Sequence, residues 1–281
     1  MSVRPEKESA SLVFLYRTVP GRVLLKLLIC RGLSQAIGSI LSSPVSRPLI
    51  GPFIRRNGID LTDYAEEDWA CFNDFFCRRI RPETRPLPED PNVLFAPCDG
   101  LLSAYPITDG TVFPIKQSRY SVSDLLGMDA AARRYRDGVC LVFRLCVDNY
   151  HRYCYLDDGQ KGPNVFLPGV LHTVRPIALE TVPVFVRNSR EYTIMDTVHF
   201  GTVAQVEVGA LLVGRIDNHQ GAGPICRGGE KGRFLFGGST VVVLLEKDRV
   251  HVDETLFTAT ANGVETPVVM GQALGHATCP S

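Results

Sequence analysis

Four prolines lie within the segment RPETRPLPEDP at 81–91, and they divide the chain into two parts of different character. Proline lacks the backbone N–H and fixes φ, so this segment is unsuited to a helix and we predict an extended connector. The 281 residues are enough for one large domain or two small ones. We therefore predict a helical region at 1–80, a connector at 81–91 and a second region at 92–281.

The first region carries apolar residues in bunches that basic residues interrupt. The apolar stretches are Ser11–Tyr16 and Val23–Leu41, with Pro20-Gly21 between them. Their spacing predicts a pair of amphipathic helices, and neither stretch reaches the roughly 20 uncharged apolar residues that a membrane-spanning helix needs. Because acids and bases are mixed in the first ten residues, we do not expect a secretory signal.

Charge is distributed unevenly along the chain. Residues 1–58 carry nine Lys or Arg and two Glu, a net charge of +7, in a chain whose formal net charge is zero. Such asymmetry suggests that the basic end faces an anionic surface, either a membrane or a nucleic acid. A helix with an apolar and a basic side can lie in the interface of an anionic bilayer, and it can equally cover the core of its own domain.

The second region has the pattern of a β-rich domain. Asp-Gly and Pro-Gly turn signals recur at short intervals, and runs such as Val139–Leu145, Val203–Ile216 and Thr240–Leu245 favour strands. Helices are predicted at Tyr64–Arg79, with Thr62 or Asp63 as cap, and at Val122–Tyr135. The fold class is therefore α+β, with N-terminal amphipathic helices followed by a mainly antiparallel β domain.

A glycine pair, Gly237-Gly238, precedes Ser239 in the β-rich region. It could be the turn of a hairpin whose second strand opens with Ser239-Thr240. Alternatively, the Ser239 hydroxyl could attack the Gly238 carbonyl, because glycine has no side chain to obstruct the approach and tolerates unusual backbone angles. The amide would become an ester, elimination would leave dehydroalanine, and hydrolysis would give a pyruvoyl group at the cut end of the chain.

Three polar residues could assist such chemistry: Asp99 in APCDG, His151 in DNYHRYC and His172 in PGVLHTVRP. Each alone is more often structural. If they meet Ser239, a histidine can take the serine proton while the carboxylate orients the ring. A serine hydrolase using Asp99, His151 and Ser239 is one candidate, although the serine lacks the G-x-S-x-G elbow.

Nine cysteines show no CxxC pair, so we expect free thiols in a reducing compartment and no metal site.

Taken in order, the motifs resemble the phosphatidylserine decarboxylase proenzyme family. The similar segments are FNDFFCRRIRPETRPLP (72–88), APCDG (96–100), YHRYC (150–154), PGVLHTVRP (168–176), NSREY (188–192), VAQVEVGALLVGRI (203–216) and FGGSTVVVLLEKD (236–248). The resemblance implies self-cleavage between Gly238 and Ser239, which yields a β chain of 1–238 and an α chain of 239–281 that begins with a pyruvoyl group. It implies that the catalytic domain, 92–281, converts phosphatidylserine to phosphatidylethanolamine and CO2.

The implied chemistry assigns a role to each candidate residue. The substrate amine would form a Schiff base with the pyruvoyl group made from Ser239, which accepts the electrons left by CO2. His151 is expected to reprotonate the carbon, and Asp99 to orient the base during self-cleavage. The family motif His-Arg-x-His has Cys154 in place of its second histidine here, so either His151 serves in both steps or His172 supplies the other ring.

The resemblance also implies partners and a location. We expect the N-terminal helices to attach the protein peripherally to the cytoplasmic face of the cell membrane, an anionic surface, with phosphatidylserine as substrate and no nucleic acid partner. A homodimer is compatible with this arrangement. The remaining alternative is a non-catalytic lipid-binding relative in which the missing histidine has ended processing.

Overall fold

The structure is a computed structural model, and it describes residues 10–28, 31–108, 112–115, 118–170, 172–173, 178, 183–209, 216–236 and 239–278. Helices dominate the N-terminal part and antiparallel strands most of the rest, which confirms the predicted α+β class. The helices in these ranges are α1 (Ala10–Arg17), α2 (Val19–Leu28), α3 (Arg31–Leu41), α4 (Ile50–Asn57), α5 (Phe72–Phe76), α6 (Val122–Leu126), α7 (Asp129–Ala132), α8 (Val184–Arg187) and α9 (Glu254–Ala261).

Short 3-10 turns and strands complete the described secondary structure. The 3-10 turns are Pro44–Leu49, Pro82–Thr84 and Arg133–Tyr135. The strands are β1 (Val93–Phe95), β2 (Gly100–Pro106), β3 (Val112–Ile115), β4 (Ser118–Ser121), β5 (Val139–Leu145), β6 (Arg152–Cys154), β7 (Gly159–Lys161), β8 (Val165–Leu167), β9 (Arg190–Thr197), β10 (Thr202–Val208), β11 (Ile216–Asn218), β12 (Gly223–Ile225), β13 (Glu230–Phe234), β14 (Ser239–Leu245), β15 (Val250–Val252), β16 (Thr266–Val268) and β17 (Ala273–Ala277).

A nine-stranded antiparallel sheet forms the centre of the β-rich part. Its order is β12-β7-β9-β10-β14-β5-β2-β16, with β8 paired to β9. β14 lies between β10 and β5, and all seven of its residues are buried. A strand buried on both faces has a continuous apolar run rather than an alternating one, which explains the composition of the predicted strand Thr240–Leu245. That strand and Val139–Leu145 are confirmed.

The two faces of this sheet carry separate hydrophobic cores. Successive side chains of a strand point to opposite faces. Val242 and Leu244 therefore pack with residues of α1, α2 and α6, whereas Val241 and Val243 pack with residues of β6, β13 and α9. A third cluster, built from α3, α4 and α5, reaches Phe236 just before β14. The N-terminal helices are thus packed against the sheet and against the segment that leads into its central strand.

Two predicted helices are wrong in extent. In place of a helix over Tyr64–Arg79, α5 has five residues. The Ala65 N–H donates to the Arg79 carbonyl at 2.8 Å, so the two ends of the segment are extended and paired rather than helical. The helix predicted at Val122–Tyr135 is divided into α6 and α7, because Gly127 adopts a left-handed φ of 65° that ends α6.

One of the two alternatives for the glycine pair, the turn of a hairpin between the flanking strands, is wrong. β13 lies in the three-stranded sheet β11-β13-β6, and β14 lies between β10 and β5 in the central sheet. Because both strands have partners on both edges, they cannot pair with each other. The chain therefore leaves one sheet at Phe234 and enters the other at Ser239, and Gly237 and Gly238 are outside the described residues.

A buried ion pair joins these two sheets. Lys231 Nζ on β13 donates to Glu207 Oε1 on β10 at 2.7 Å, both side chains are fully buried, and both bond to Asn218. Removing one partner of such a pair leaves an uncompensated charge, whereas replacing both with apolar residues is often neutral.

We expect Lys231→Met to lower the free energy of unfolding by about 3–5 kcal/mol, because Glu207 would be left buried and unpaired. The double variant Lys231→Met/Glu207→Leu should recover most of that loss, since it buries no charge. Urea denaturation of the wild type and both variants measures the difference. A double variant as unstable as the single one would show that the pair does more than neutralise its own charges.

Candidate active site

One end of the central sheet gathers the residues predicted for chemistry. Ser239 opens β14 and lies opposite Leu145, the last residue of β5. On the far side of β5, the strand β2 begins at Gly100, directly after Asp99. On the other side of β14, β10 ends at Val208. The start of β14 therefore lies at the same end of the sheet as Asp99, which precedes β2, and as the end of β5, from which the chain continues to His151.

The Ser239 side chain is fully buried, and its hydroxyl has no hydrogen-bond partner among the described residues. Buried polar groups are nearly always paired in native proteins, and an unpaired one costs about 1–3 kcal/mol. Its predicted reaction partner, Gly238, is outside the described residues. An unpaired buried hydroxyl where the chain passes between two sheets is a candidate for a reactive group rather than a structural one.

His151 is also fully buried, and its two ring nitrogens have different surroundings. Nδ1 lies 3.0 Å from the carbonyl oxygen of Asn149. Because a carbonyl oxygen only accepts hydrogen bonds, Nδ1 carries the hydrogen and Nε2 keeps its lone pair. Nε2 has no partner within the described part of the chain. Burial, together with nearby Arg78, lowers the pKa of His151 to about 3, so the ring is a neutral base at pH 7.

His151 is linked to the segment that leads into Ser239. The backbone N–H of Phe234 donates to the His151 carbonyl at 2.9 Å. The Phe76 ring lies 4.0 Å from the His151 ring and 5.2 Å from the Phe236 ring, measured between centroids. Since Phe236 comes three residues before Ser239, the imidazole and the hydroxyl belong to the same end of the fold.

Asp99 has different partners from those expected. Its carboxylate oxygens accept hydrogen bonds from Arg85 at 3.2 and 3.1 Å, and Oδ1 also accepts one from the Met270 N–H at 2.8 Å. In the described structure no hydrogen bond joins Asp99 to His151 or His172. The strand after Asp99 is two places from β14, roughly 10 Å at about 4.8 Å per strand. Asp99 thus ties the Pro-rich connector to the sheet and does not orient a histidine directly.

His172 is held at this end of the sheet by Asn188. Asn188 Oδ1 accepts from the His172 N–H at 2.9 Å, and Nδ2 donates at 2.7 Å to the carbonyl oxygens of His172 and Gly209. Gly209 directly follows β10, the strand paired with β14. Burial, with a smaller contribution from Arg187, lowers the pKa of His172 to about 4. Its ring is therefore also neutral at pH 7.

Cys154, which takes the place of the second motif histidine, is not suited to act as a base. Burial raises the pKa of its thiol to about 12, and Sγ donates to the Pro97 carbonyl at 3.4 Å. A thiol that stays protonated at neutral pH accepts no proton from serine. In the same motif, Arg152 donates to both carboxylate oxygens of Glu230, at 2.8 and 3.1 Å.

A pocket of about 520 Å³ opens beside this motif. Tyr150 and Arg152 line it from the motif, and Arg79 and Arg85 line it from the segment before the sheet. Arg85 and Arg152 are paired with carboxylates at 3.1 and 2.8 Å, and Arg79, whose side chain is 71% exposed, lies 3.9 Å from Glu67. Guanidinium groups bind phosphate and carboxylate well, so this pocket is a candidate site for an anionic group.

Three residues that orient the site were not predicted from the sequence: Asn149, Asn188 and Tyr16. Asn188 opens the segment NSREY and Asn149 directly precedes YHRYC. Their positions in or beside these motifs could have indicated a role at the site. Tyr16, whose Oη lies 3.2 Å from His172 Nδ1, is 156 residues away and has no local signal. Within the described ranges, no cluster of His, Cys, Asp and Glu could hold a metal ion.

Comparison with known proteins gives consistent matches. A family model described as Phosphatidylserine decarboxylase matches residues 72–276. Phosphatidylserine decarboxylase proenzyme 2 of Clostridium acetobutylicum is 41% identical over 270 residues, which cover 96% of this chain and 92% of that protein. Phosphatidylserine decarboxylase proenzymes of Clostridium botulinum and Clostridium perfringens are 38% and 36% identical, over 86% and 93% of this chain and 84% and 91% of theirs.

The family model covers the segment from α5 to β17 and so includes the whole sheet end around Ser239. The relatives align with this chain over most of their own length as well as its own. The chain therefore belongs to the phosphatidylserine decarboxylase family.

Proposed function

We propose that this chain is a proenzyme that cleaves itself between Gly238 and Ser239 and then decarboxylates phosphatidylserine to phosphatidylethanolamine and CO2. Relatives named phosphatidylserine decarboxylase proenzyme support both the substrate and the precursor state. The observation that carries the mechanism is a pair of buried atoms without partners in the described structure, Ser239 Oγ and His151 Nε2. The first can lose a proton and the second can accept one.

Self-cleavage begins when His151 Nε2 accepts the hydroxyl proton of Ser239 and Oγ attacks the carbonyl carbon of Gly238. The C–N bond then breaks, the Ser239 nitrogen takes up a proton, and an ester joins the two chains through Oγ. Loss of the Ser239 α proton expels the Gly238 carboxylate and leaves dehydroalanine. Addition of water and loss of ammonia then give a pyruvoyl group. The burial of Ser239 keeps bulk water from the ester, whose hydrolysis would only restore a serine.

The surroundings of residue 239 fit a pyruvoyl group. Ser239 is paired with Leu145 of β5, and the next residue, Thr240, is paired with both β5 and β10, so the first residue of β14 stays in place when the bond before it breaks. The same ladders and the buried apolar side chains hold the chain 239–281 to the chain 1–238. When formed, the pyruvoyl group supplies a ketone that condenses with the substrate amine and accepts the electrons that CO2 leaves behind.

His151 is also our choice for the group that returns a proton to the substrate carbon. In the free protein its pKa of about 3 keeps the ring neutral. The phosphate and carboxylate of the head group would bring negative charge close to the ring and raise its pKa. A positioned acid of this kind is worth ~10²–10⁴-fold in rate. Asp99 would contribute by holding Arg85 at the edge of the pocket.

Mass spectrometry of the purified protein, combined with a CO2-release assay on phosphatidylserine vesicles, tests the proposal. We expect two chains, 1–238 and 239–281, the second with a blocked terminus that reacts with hydrazine. An intact chain that releases no CO2 would overturn the proposal. A serine hydrolase would be intact and cleave esters, and a lipid-binding module would be intact and inert. The partners of Asp99 already disfavour the hydrolase, because within the described part of the chain no carboxylate bonds to His151.

We also propose that the N-terminal helices attach to the cytoplasmic face of an anionic membrane. Phe14, Val19 and Val23 are 44%, 66% and 62% exposed, and Arg17 and Arg22 are exposed beside them. Apolar side chains next to basic ones favour a helix that lies in the bilayer interface. No helix in the described ranges is long and apolar enough to cross a bilayer.

We expect Val19→Glu/Val23→Glu to bind phosphatidylserine-containing vesicles at least about tenfold more weakly, because burial of two apolar side chains is lost and two charges face an anionic surface. Val198→Glu is the matched control, since Val198 is also 66% exposed but lies in the turn between β9 and β10. Sedimentation with vesicles measures the binding. Equal vesicle binding by the double variant and the control would show that these helices are not the attachment site.

A further inference from the structure

Tyr16 belongs to the same helix as the exposed Phe14 but points the other way, into the protein. Its side chain is 4% exposed and lies in the core that covers one face of the central sheet. Its hydroxyl oxygen lies 3.2 Å from His172 Nδ1, and the two rings are tilted at 52° with centroids 5.9 Å apart. A residue of the N-terminal helical region is thus in direct contact with a candidate residue of the site.

The hydrogen bonds around the Tyr16 hydroxyl determine which way its hydrogen points. The Thr173 N–H donates to this oxygen at 3.2 Å, so one acceptor position is occupied. Burial raises the pKa of Tyr16 to about 12, so the phenol keeps its hydrogen at neutral pH. Among the described residues, the acceptor for that hydrogen is His172 Nδ1. The hydrogen bond therefore runs from Tyr16 to His172.

A neutral His172 that accepts through Nδ1 must carry its own hydrogen on Nε2. His151 has the opposite arrangement, because its Nδ1 carries the hydrogen and faces the Asn149 carbonyl. One ring at this end of the sheet is thus a proton acceptor at Nε2, and the other is a hydrogen-bond donor at Nε2. A donor is what the phosphate or carboxylate of an anionic head group requires.

We infer that Tyr16 is a positioning residue, which acts through His172 by fixing its Nε2–H tautomer and its ring orientation. Asn188 already holds the His172 backbone through both its N–H and its carbonyl, so the ring is the part that still needs a partner. The consequence for catalysis rests on the proposed function. The tautomer itself does not, because it follows from the contacts of Tyr16 alone.

Nitrogen NMR of the ¹⁵N-histidine-labelled full-length protein tests the inference directly. In the wild type we expect His172 as the Nε2–H tautomer, and in Tyr16→Phe a mixture of both tautomers. In vesicle assays, kcat of Tyr16→Phe should fall about fivefold to tenfold, the effect of one hydrogen bond, with KM within about twofold. A simple loss of folded protein would not change the tautomer of the molecules that remain folded.

Tyr135→Phe is the matched control, because Tyr135 is a fully buried tyrosine whose hydroxyl has no partner in the described structure. It should leave both the His172 tautomer and kcat unchanged. An Nδ1–H tautomer in the wild type, or Tyr16→Phe with the wild-type tautomer and kcat, would overturn the inference. A wild-type protein that produces no phosphatidylethanolamine would overturn the proposed function instead, and the NMR result would stand independently.

Discussion

Ser239→Ala is expected to stay a single chain of 281 residues and to release no CO2 from phosphatidylserine, a loss of more than about 10⁴-fold. The hydroxyl is the proposed attacking group and the source of the ketone, so no other atom of the residue can replace it. The fold should persist, because the substitution removes a buried hydroxyl that has no described partner. Mass spectrometry and the CO2-release assay measure both effects.

Thr240→Val is the matched control for this variant. Thr240 is the next residue of β14, is equally buried, and also has a hydroxyl with no partner in the described part of the chain. Its side chain points to the opposite face of the sheet, so Thr240→Val should be processed normally. Normal processing of Ser239→Ala, or loss of processing in both variants, would contradict Ser239 as the attacking group.

His151→Ala is expected to slow self-cleavage by about 10²–10⁴-fold, the range for loss of a positioned general base. His172→Ala should still be cleaved, because Nδ1 of that ring is occupied by Tyr16 and is not free to accept the serine proton. Time courses of chain cleavage in the purified precursors measure the two rates. Normal cleavage of His151→Ala alongside uncleaved His172→Ala would assign the base to His172 instead.

The pKa of His151 also predicts the pH dependence of this step. With a pKa of about 3 the base is deprotonated throughout pH 5–8, so the cleavage rate should be flat over that range. If the base were an exposed histidine with a pKa near 6.5, the cleavage rate at pH 6.5 would be about half its maximum. The same pKa makes the free energy of unfolding depend on pH, because His151 in the unfolded state has a pKa near 6.5 and binds the proton before the folded state does. The free energy of unfolding is therefore highest above about pH 6.5 and falls as the pH drops towards 3.

The strands at the centre of the fold could be predicted from local composition, whereas the true conformation of residues 64–79, predicted as one helix, could not. β5 and β14 are runs of Val, Leu and Phe that suit only a buried strand. Residues 64–79 carry aromatics at helical spacing, yet the ends of that segment pair with each other, because tertiary contacts override a weak helical preference. The glycine pair illustrates the same limit, since a turn signal does not say which sheet each flanking strand joins.

The residue types at the candidate site were recognisable, but their partners were not. A serine after two glycines, an acid and two histidines in matching motifs are properties of the sequence alone. In the folded protein, the Asp99 carboxylate accepts hydrogen bonds from Arg85 and from the Met270 N–H instead of from a histidine. It likewise made Cys154 a buried, protonated thiol.

The sequence by itself indicated the candidate serine and determined the β-rich architecture around it and the family, because these depend on the order of residues along the chain. Only the tertiary structure decided which histidine has a free lone pair, since Asn149 and Tyr16 set the two tautomers. Hydrogen-bond partners and the loss of water around buried groups come from segments far apart in the chain. Tyr16 and His172 are 156 residues apart, and no local pattern encodes that contact.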